Sequence, residues 1–301
     1  MKRTRSTVGK KAARKVTAAA TKTAMPRKKK AASRVAAPKP ATRRKKAALA
    51  KTAPAKTPAS KAAAGVDERL ERALSELRKL SSEKIRAGMA RFAIPSDNAW
   101  GVSMGDMRQL GKRLGRDHEL ATALWSTGVY EARTLAAFVD DPALVTSAQM
   151  DRWCRDFDSW AICDTLCFHL FDKTPHAALK VVAWASLEAE FVKRAAFALI
   201  ASLSVHDKRA PDADYERFLA LIEKAADDER NFVKKGVNWA LRCIGKRNAA
   251  LHAAAVAVSK RLAAAPSKAA AWVGRDALRD LASPSVARRL ERGRARAEKL
   301  R

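Results

Sequence analysis

The 301-residue chain has no apolar run approaching the ~18 residues that a membrane-crossing helix needs. It carries no HExxH, no phosphate-cradling P-loop, no GxGxxG and no GxSxG, so the common metalloprotease, nucleotide-binding and serine-hydrolase signatures are absent. The four cysteines, Cys154, Cys163, Cys167 and Cys243, have the spacing of neither a disulfide framework nor a zinc site. Cys163 and Cys167, i and i+4, are expected as small buried thiols in a reducing compartment. The histidines show no metal spacing, so no metal and no cofactor are expected. No stretch alternates with period two for more than a few residues, which excludes a substantial sheet. No secretory signal opens the chain, and a cytoplasmic location beside the nucleoid is expected.

Acidic residues are missing from a whole segment. Residues 1–61 hold 21 lysines and arginines and no Asp or Glu. Of the 61 basic residues in the chain, 40 remain to face 31 acids, a net of +9. Residues 1–64, rich in Ala, Lys, Arg, Thr and Pro and without an aromatic, cannot bury enough apolar surface to offset chain entropy. They read as a disordered basic tail, with non-specific DNA as its partner through counterion release. AAPKP and KTAPAKTP resemble the tails of linker histones and bacterial histone-like proteins. A solubilising tail or an organelle transit peptide is the alternative.

What is present from residue 65 to 301 is helical periodicity. VDERLERALSELRKL puts Leu70, Leu74, Leu77 and Leu80 on one side. Ser103 with Asp106 makes a variant of the capping box. DHELATALW and VYEARTLAAFV form a close helix pair. Prolines in DDPALV, KTPHAAL, RAPDADYE and ASPSVARR sit where a first helical residue is expected. The spacings Pro142–Pro175 and Pro175–Pro211 each match one helix-turn-helix unit. The expected fold is all-α, an α-solenoid of stacked helix pairs, with a compact helical bundle as the alternative.

One stretch carries chemistry inside an apolar pattern. In DFDSWAICDTLCFHLF, Phe157, Trp160, Ala161, Asp164, Cys167, Phe168 and Phe171 follow the i, i+3, i+4, i+7 rule, an apolar stripe with an acid in its middle. A carboxylate there needs a partner, a wet cleft or a job. Arg133 and Arg194 are the candidate partners. Lys193 and Arg194 precede another apolar run, and Lys235, Trp239 and Arg242 share one helical face. On residues alone, each tryptophan could be core, Asp164 could sit in an internal ion pair, and Lys193, Lys234 and Lys235 could be ordinary solvated charges.

The blocks NAWGVSMGDMRQLGK, LWSTGVYEARTLAAFVDDP, DFDSWAICDTLC, FVKRAAFAL and ERNFVKKGVNWALRCIGKRN together resemble the DNA alkylation repair family, the HEAT-like alkylpurine DNA glycosylases. The resemblance runs over roughly residues 67 to 285. The W-x3-D pair, the later Arg and the later Trp occur in the family's order. It implies HEAT-like repeats whose concave basic surface holds duplex DNA, and a monomer. It implies hydrolysis of the N-glycosidic bond of N3- and N7-alkylated purines without a base pocket. Carried over, Asp164 is the catalytic carboxylate and Trp160 and Trp239 are aromatic walls. Arg194 contacts the DNA backbone. From their own places on these helices, Lys193, Lys234, Lys235 and Arg242 are expected as further DNA-binding residues. Gly88 stands before Met89 where some members have a Tyr. The alternative is a non-catalytic HEAT-like binder of damaged or branched DNA, and beyond it a helical-repeat protein adaptor.

Overall fold

The computed structural model describes residues 65–298; the expected basic tail, residues 1–64, lies outside them. Among the described residues there are fourteen α-helices and no strand. In chain order they are α1 (Val66–Lys79), α2 (Glu83–Gly88), α3 (Met104–Leu114), α4 (His118–Ser126), α5 (Tyr130–Val139), α6 (Ser147–Arg155) and α7 (Trp160–His169). There follow α8 (Ala177–Trp184), α9 (Glu190–His206), α10 (Asp212–Lys224), α11 (Asn231–Ile244), α12 (Ala249–Ala263), α13 (Lys268–Leu281) and α14 (Pro284–Glu298). A 3-10 turn, Ala90–Phe92, follows α2.

Short polar caps set many of the helix starts. Ser103, Asp117, Thr146 and Asn248 each accept from the backbone N–H three residues on, satisfying one of the donors that a helix N-terminus leaves open. Ser103 also bonds the Asp106 carboxylate, so the expected capping-box variant is formed. The prolines act differently from expectation. Only Pro284 is a first helical residue; Pro211 is the N-cap of α10, Pro175 lies two residues ahead of α8, and Pro142 sits in a turn five residues before α6. Proline's fixed φ suits a cap or turn as well as a first turn.

The helices stack in pairs, α4 on α5, α8 on α9, α10 on α11 and α12 on α13. The second helices also pack in series: α5 on α7, α7 on α9, α9 on α11 and α11 on α13. This is the expected α-solenoid. At its centre is α9, buried over most of its length from Val192 to Ser204. Its Ser202 and Ser204 hydroxyls donate to the carbonyls of Leu199 and Ile200, so their burial leaves no polar hydrogen unmatched.

At Gly274 the backbone of α13 passes close against that of α12. A Cβ there would lie 2.2 Å from the Ala263 nitrogen and 2.5 Å from the Ser259 carbonyl of α12. Backbone cannot yield as a side-chain tip can. Gly274→Ala is expected to destabilise the protein by about 2 kcal/mol, the usual cost of overpacking a core; urea unfolding of wild type and variant checks it.

Candidate functional site

The site is built on α7, α9 and α11, with one wall from the turn after α2. On α7, Ala161, Ile162, Cys163, Thr165, Leu166 and Cys167 are buried, and the partly open face is Trp160, Asp164 and Phe168. The expected stripe is thus turned over. Cys167 belongs to the core, whereas the ring–carboxylate–ring line is the edge that α7 leaves uncovered. Cys163 and Cys167 direct their thiols at the Phe191 and Ala195 carbonyls of α9, 3.6 Å in each case. They clamp the two helices, and burial pushes the Cys167 thiol well above its usual range.

Asp164 has found its partner. Arg194 Nε donates to Oδ1 at 2.9 Å and Nη2 to Oδ2 at 2.7 Å, a two-pronged fork. The third arm, Nη1, donates to the Phe232 carbonyl of α11 at 2.6 Å. The Arg194 side chain is 7% exposed and that of Asp164 is 19% exposed. Burial pushes the Asp164 carboxyl above the ordinary carboxylate range, opposed by the charge and then the hydrogen bonds of Arg194. Burial alone would lower the guanidinium, but Asp164 outweighs it and holds Arg194 above its usual value. Burial and the ion pair thus act on Asp164 in opposite senses, and its carboxylate stays open along one edge. Arg133, the other candidate partner, lies elsewhere, over the Trp125 ring at 5.0 Å and 3.8 Å from Asp156.

The Trp160 ring does not hang free. Its Nε1–H donates to the Phe92 carbonyl at 2.8 Å, across 68 residues of chain. Phe92 ends the 3-10 turn, and the next residue, Ala93, takes the left-handed conformation with φ 53°. A cavity of about 500 Å3 lies beside this bond, lined by Arg91, Phe92, Ala93, Trp160, Arg194, Asn231, Phe232 and Lys235. Asp164 does not line this cavity; it stands one turn along α7 from Trp160, and its partner Arg194 does.

The other expected residues are divided. Lys235 is exposed and lines the cavity. Trp239 does not line it: the indole stacks on Phe168, centroids 5.1 Å apart and planes at 7°, further along the open edge. Behind Phe168 stands His206, bonded to the buried Asp172 carboxylate. Lys234 lies over the Trp272 ring at 5.4 Å. Arg242 is 3.9 Å from Asp276 and 3.8 Å from Asp280, so acids of α13 compensate its charge. Lys193 points to another face. It pairs with Asp228 at 3.0 Å and lines a groove with Glu188 and Lys224, although it is the chain neighbour of Arg194. Successive residues of a helix point about 100° apart, which is why adjacent cations end on different surfaces.

Sequence reasoning missed Arg91, Asn231 and Phe232 and did not place Phe92. The signal was weak: Arg91 and Phe92 are a cation and an aromatic beside a short turn, with no periodicity to face them toward α7.

A family model described as "DNA alkylation repair enzyme" matches residues 73–281. No curated protein matches the chain. A solved structure shares its fold with TM-score 0.58 at 20% identity, covering 64% of this chain and 82% of that one. It represents "a new family of proteins related to the HEAT-like repeat DNA glycosylases with affinity for branched DNA structures".

Proposed function

The chain belongs to the DNA alkylation repair enzyme family, and on that premise we propose that it is a DNA glycosylase releasing N3- and N7-alkylated purines from duplex DNA. The observation that carries this reading is a carboxylate fixed by Arg194 and still open on one edge, one turn from a half-buried indole whose ring is pinned.

The chemistry asks for little else. An N7-alkylpurine is cationic, so when the C1′–N bond breaks the bonding pair leaves with the base and the base departs neutral. Positive charge develops on the deoxyribose, as in glycoside hydrolysis. A fixed anion stabilises that charge in the transition state, and water then adds to C1′ and loses a proton. The Arg194 fork opposes the rise that burial gives the Asp164 carboxyl and holds the carboxylate in one orientation, which suits a charge-stabilising group. Three of the five N–H groups of Arg194 are occupied inside the protein, so its fork is directed at Asp164 rather than at phosphate. Arg194 is therefore a positioning residue, and the free cations at the cavity are Arg91 and Lys235. The indole face of Trp160 attracts a cationic lesion or sugar, worth ~0.5–2 kcal/mol depending on desolvation.

Purified protein incubated with methylated duplex DNA is expected to release 7-methylguanine or 3-methyladenine; no free base would end this reading. Activity requires ionised Asp164. Because burial raises its pKa, single-turnover excision is expected to fall on acidification with a midpoint above the ~3.9 of an open aspartate. A rate–pH profile on a pre-formed complex checks the limb.

A second reading has one observation in its favour. The double grip of Arg194 on Asp164 is also what a purely structural ion pair would show, in a protein that binds branched DNA without cutting. Tight binding of a four-way junction with no base release from methylated DNA would select it.

A further inference from the structure

Helix α14 lies beyond the family match, which ends at residue 281. Its sequence, PSVARRLERGRARAE, has acids only at Glu291 and Glu298. It is seated by Val286, 3% exposed, and by Arg289, whose Nε donates to the Lys246 carbonyl just past the end of α11 at 3.1 Å. Arg288, Arg292 and Arg294 are exposed, and among the described residues none is paired with a carboxylate. The loop after α9 is tied to the same place: Arg247 donates to the Asp207 and Ala210 carbonyls on either side of Lys208, and the carbonyl of its chain neighbour Lys246 accepts from Arg289. Burial, and then the charges of Arg247 and Arg289, hold its ammonium below the usual lysine range, against a smaller opposing pull from Asp207. Lys208, Arg247, Arg288, Arg289 and Arg292 outnumber the nearby acids Asp207 and Glu291, and such an excess of cations favours an anion.

The surface between this patch and the candidate site is different. Arg242 faces Asp276 and Asp280, and Lys246 bonds Asp280 at 2.6 Å. The positive charge therefore falls into two patches, one around Arg91 and Lys235 and one around Lys208 and α14, separated by a compensated stretch of α11. Phe232 and Lys246 are fourteen residues apart, twelve of them along α11 at 1.5 Å each and the last two in the turn beyond it, which gives roughly 20 Å. A duplex rises ~3.4 Å per base pair, so that span corresponds to about six base pairs.

From this layout we infer that Lys208, Arg289 and Arg292 form a second phosphate-binding patch, gripping the DNA backbone about six base pairs from the lesion site. The distance rests on the glycosylase reading; the patch as a DNA contact does not.

The test uses the full chain and the triple variant Lys208→Gln, Arg289→Gln, Arg292→Gln. Anisotropy titration of an undamaged 21-bp duplex (about 70 Å long) at several salt concentrations should show about tenfold weaker binding. The log–log salt slope should be shallower by about two to three, near 0.9 per phosphate lost. The Lys208, Arg289→Lys, Arg292→Lys form keeps the charge and should bind as wild type, which separates charge from folding. On methylated duplexes, the concentration giving half-maximal single-turnover excision should rise only when the DNA arm extends beyond about six base pairs on that side. The saturated rate should not change. Unaltered affinity and slope would overturn the proposal. So would a loss confined to phosphatidylglycerol vesicles, which would make α14 a membrane contact. A wild type that releases no base but shows the salt-slope loss would refute the glycosylase reading and leave the DNA patch standing.

Discussion

Asp164→Asn is expected to reduce excision of methylated purines at saturation by at least about 100-fold, the scale seen when one electrostatic contact to a transition state is removed. The substitution preserves shape but removes the charge that would face the sugar cation. Its amide also presents a donor to one prong of the Arg194 fork. The guanidinium, 7% exposed, would keep its bond to the Phe232 carbonyl and lose its counter-charge. Breaking a buried pair from one side typically costs about 3–5 kcal/mol, somewhat less here because Asp164 is partly open. Two effects therefore coincide, and the measurement must part them. Thermal unfolding gives the stability loss, while single-turnover rates at saturating, fully folded protein give the chemical loss. A second substitution, Arg194→Met in the Asp164→Asn background, is expected to recover stability without recovering rate. Wild-type excision by folded Asp164→Asn would remove the carboxylate from the mechanism.

Glu131→Ala should have the largest effect on folding. The Glu131 side chain is fully buried and, among the described residues, is paired with no cation. Its Oε1 accepts from the backbone of Gly101 at 2.7 Å and Val102 at 3.2 Å, and its Oε2 from Trp100 at 2.9 Å. Gly101 sits at φ +78°, and a Cβ there would meet the Ser82 carbonyl at 2.2 Å, so the turn lies directly on the start of α2. The Ser82 N–H returns a bond to the Trp100 carbonyl. Alanine at 131 leaves three N–H groups without an acceptor, each worth ~1–3 kcal/mol when buried. A loss of about 4 kcal/mol is expected, lowering the urea midpoint, and the glutamine variant should fall between. The same change loosens the segment that carries Phe92, so excision by the surviving folded fraction should fall too.

The helix pairs and the polar–apolar layout were legible because helical period and capping are local. Leu74 and Leu77 are core as their spacing predicts, while Leu70 and Leu80 pack at its margin. The Asp164 ion pair was legible as a need, and the choice between Arg133 and Arg194 was not. That choice depends on which helix lies beside α7, a fact of stacking over 30 residues of chain. Trp239 and Lys193 show the limit of face arguments. A stripe says which residues share a side, but not how far along the helix the neighbouring element opens a cavity, nor which side faces it. Arg91 and Phe92 escaped because a six-residue helix and a 3-10 turn have too little periodicity to point anywhere.

The bond between the Trp160 indole and the Phe92 carbonyl joins two segments that fold in separate neighbourhoods. Amide hydrogen exchange in residues 83–94 should accordingly report on the indole's state. Whatever presses on that ring slows exchange in the turn, and fraying of the turn frees the ring. An occupant that never touches α2 would still register there.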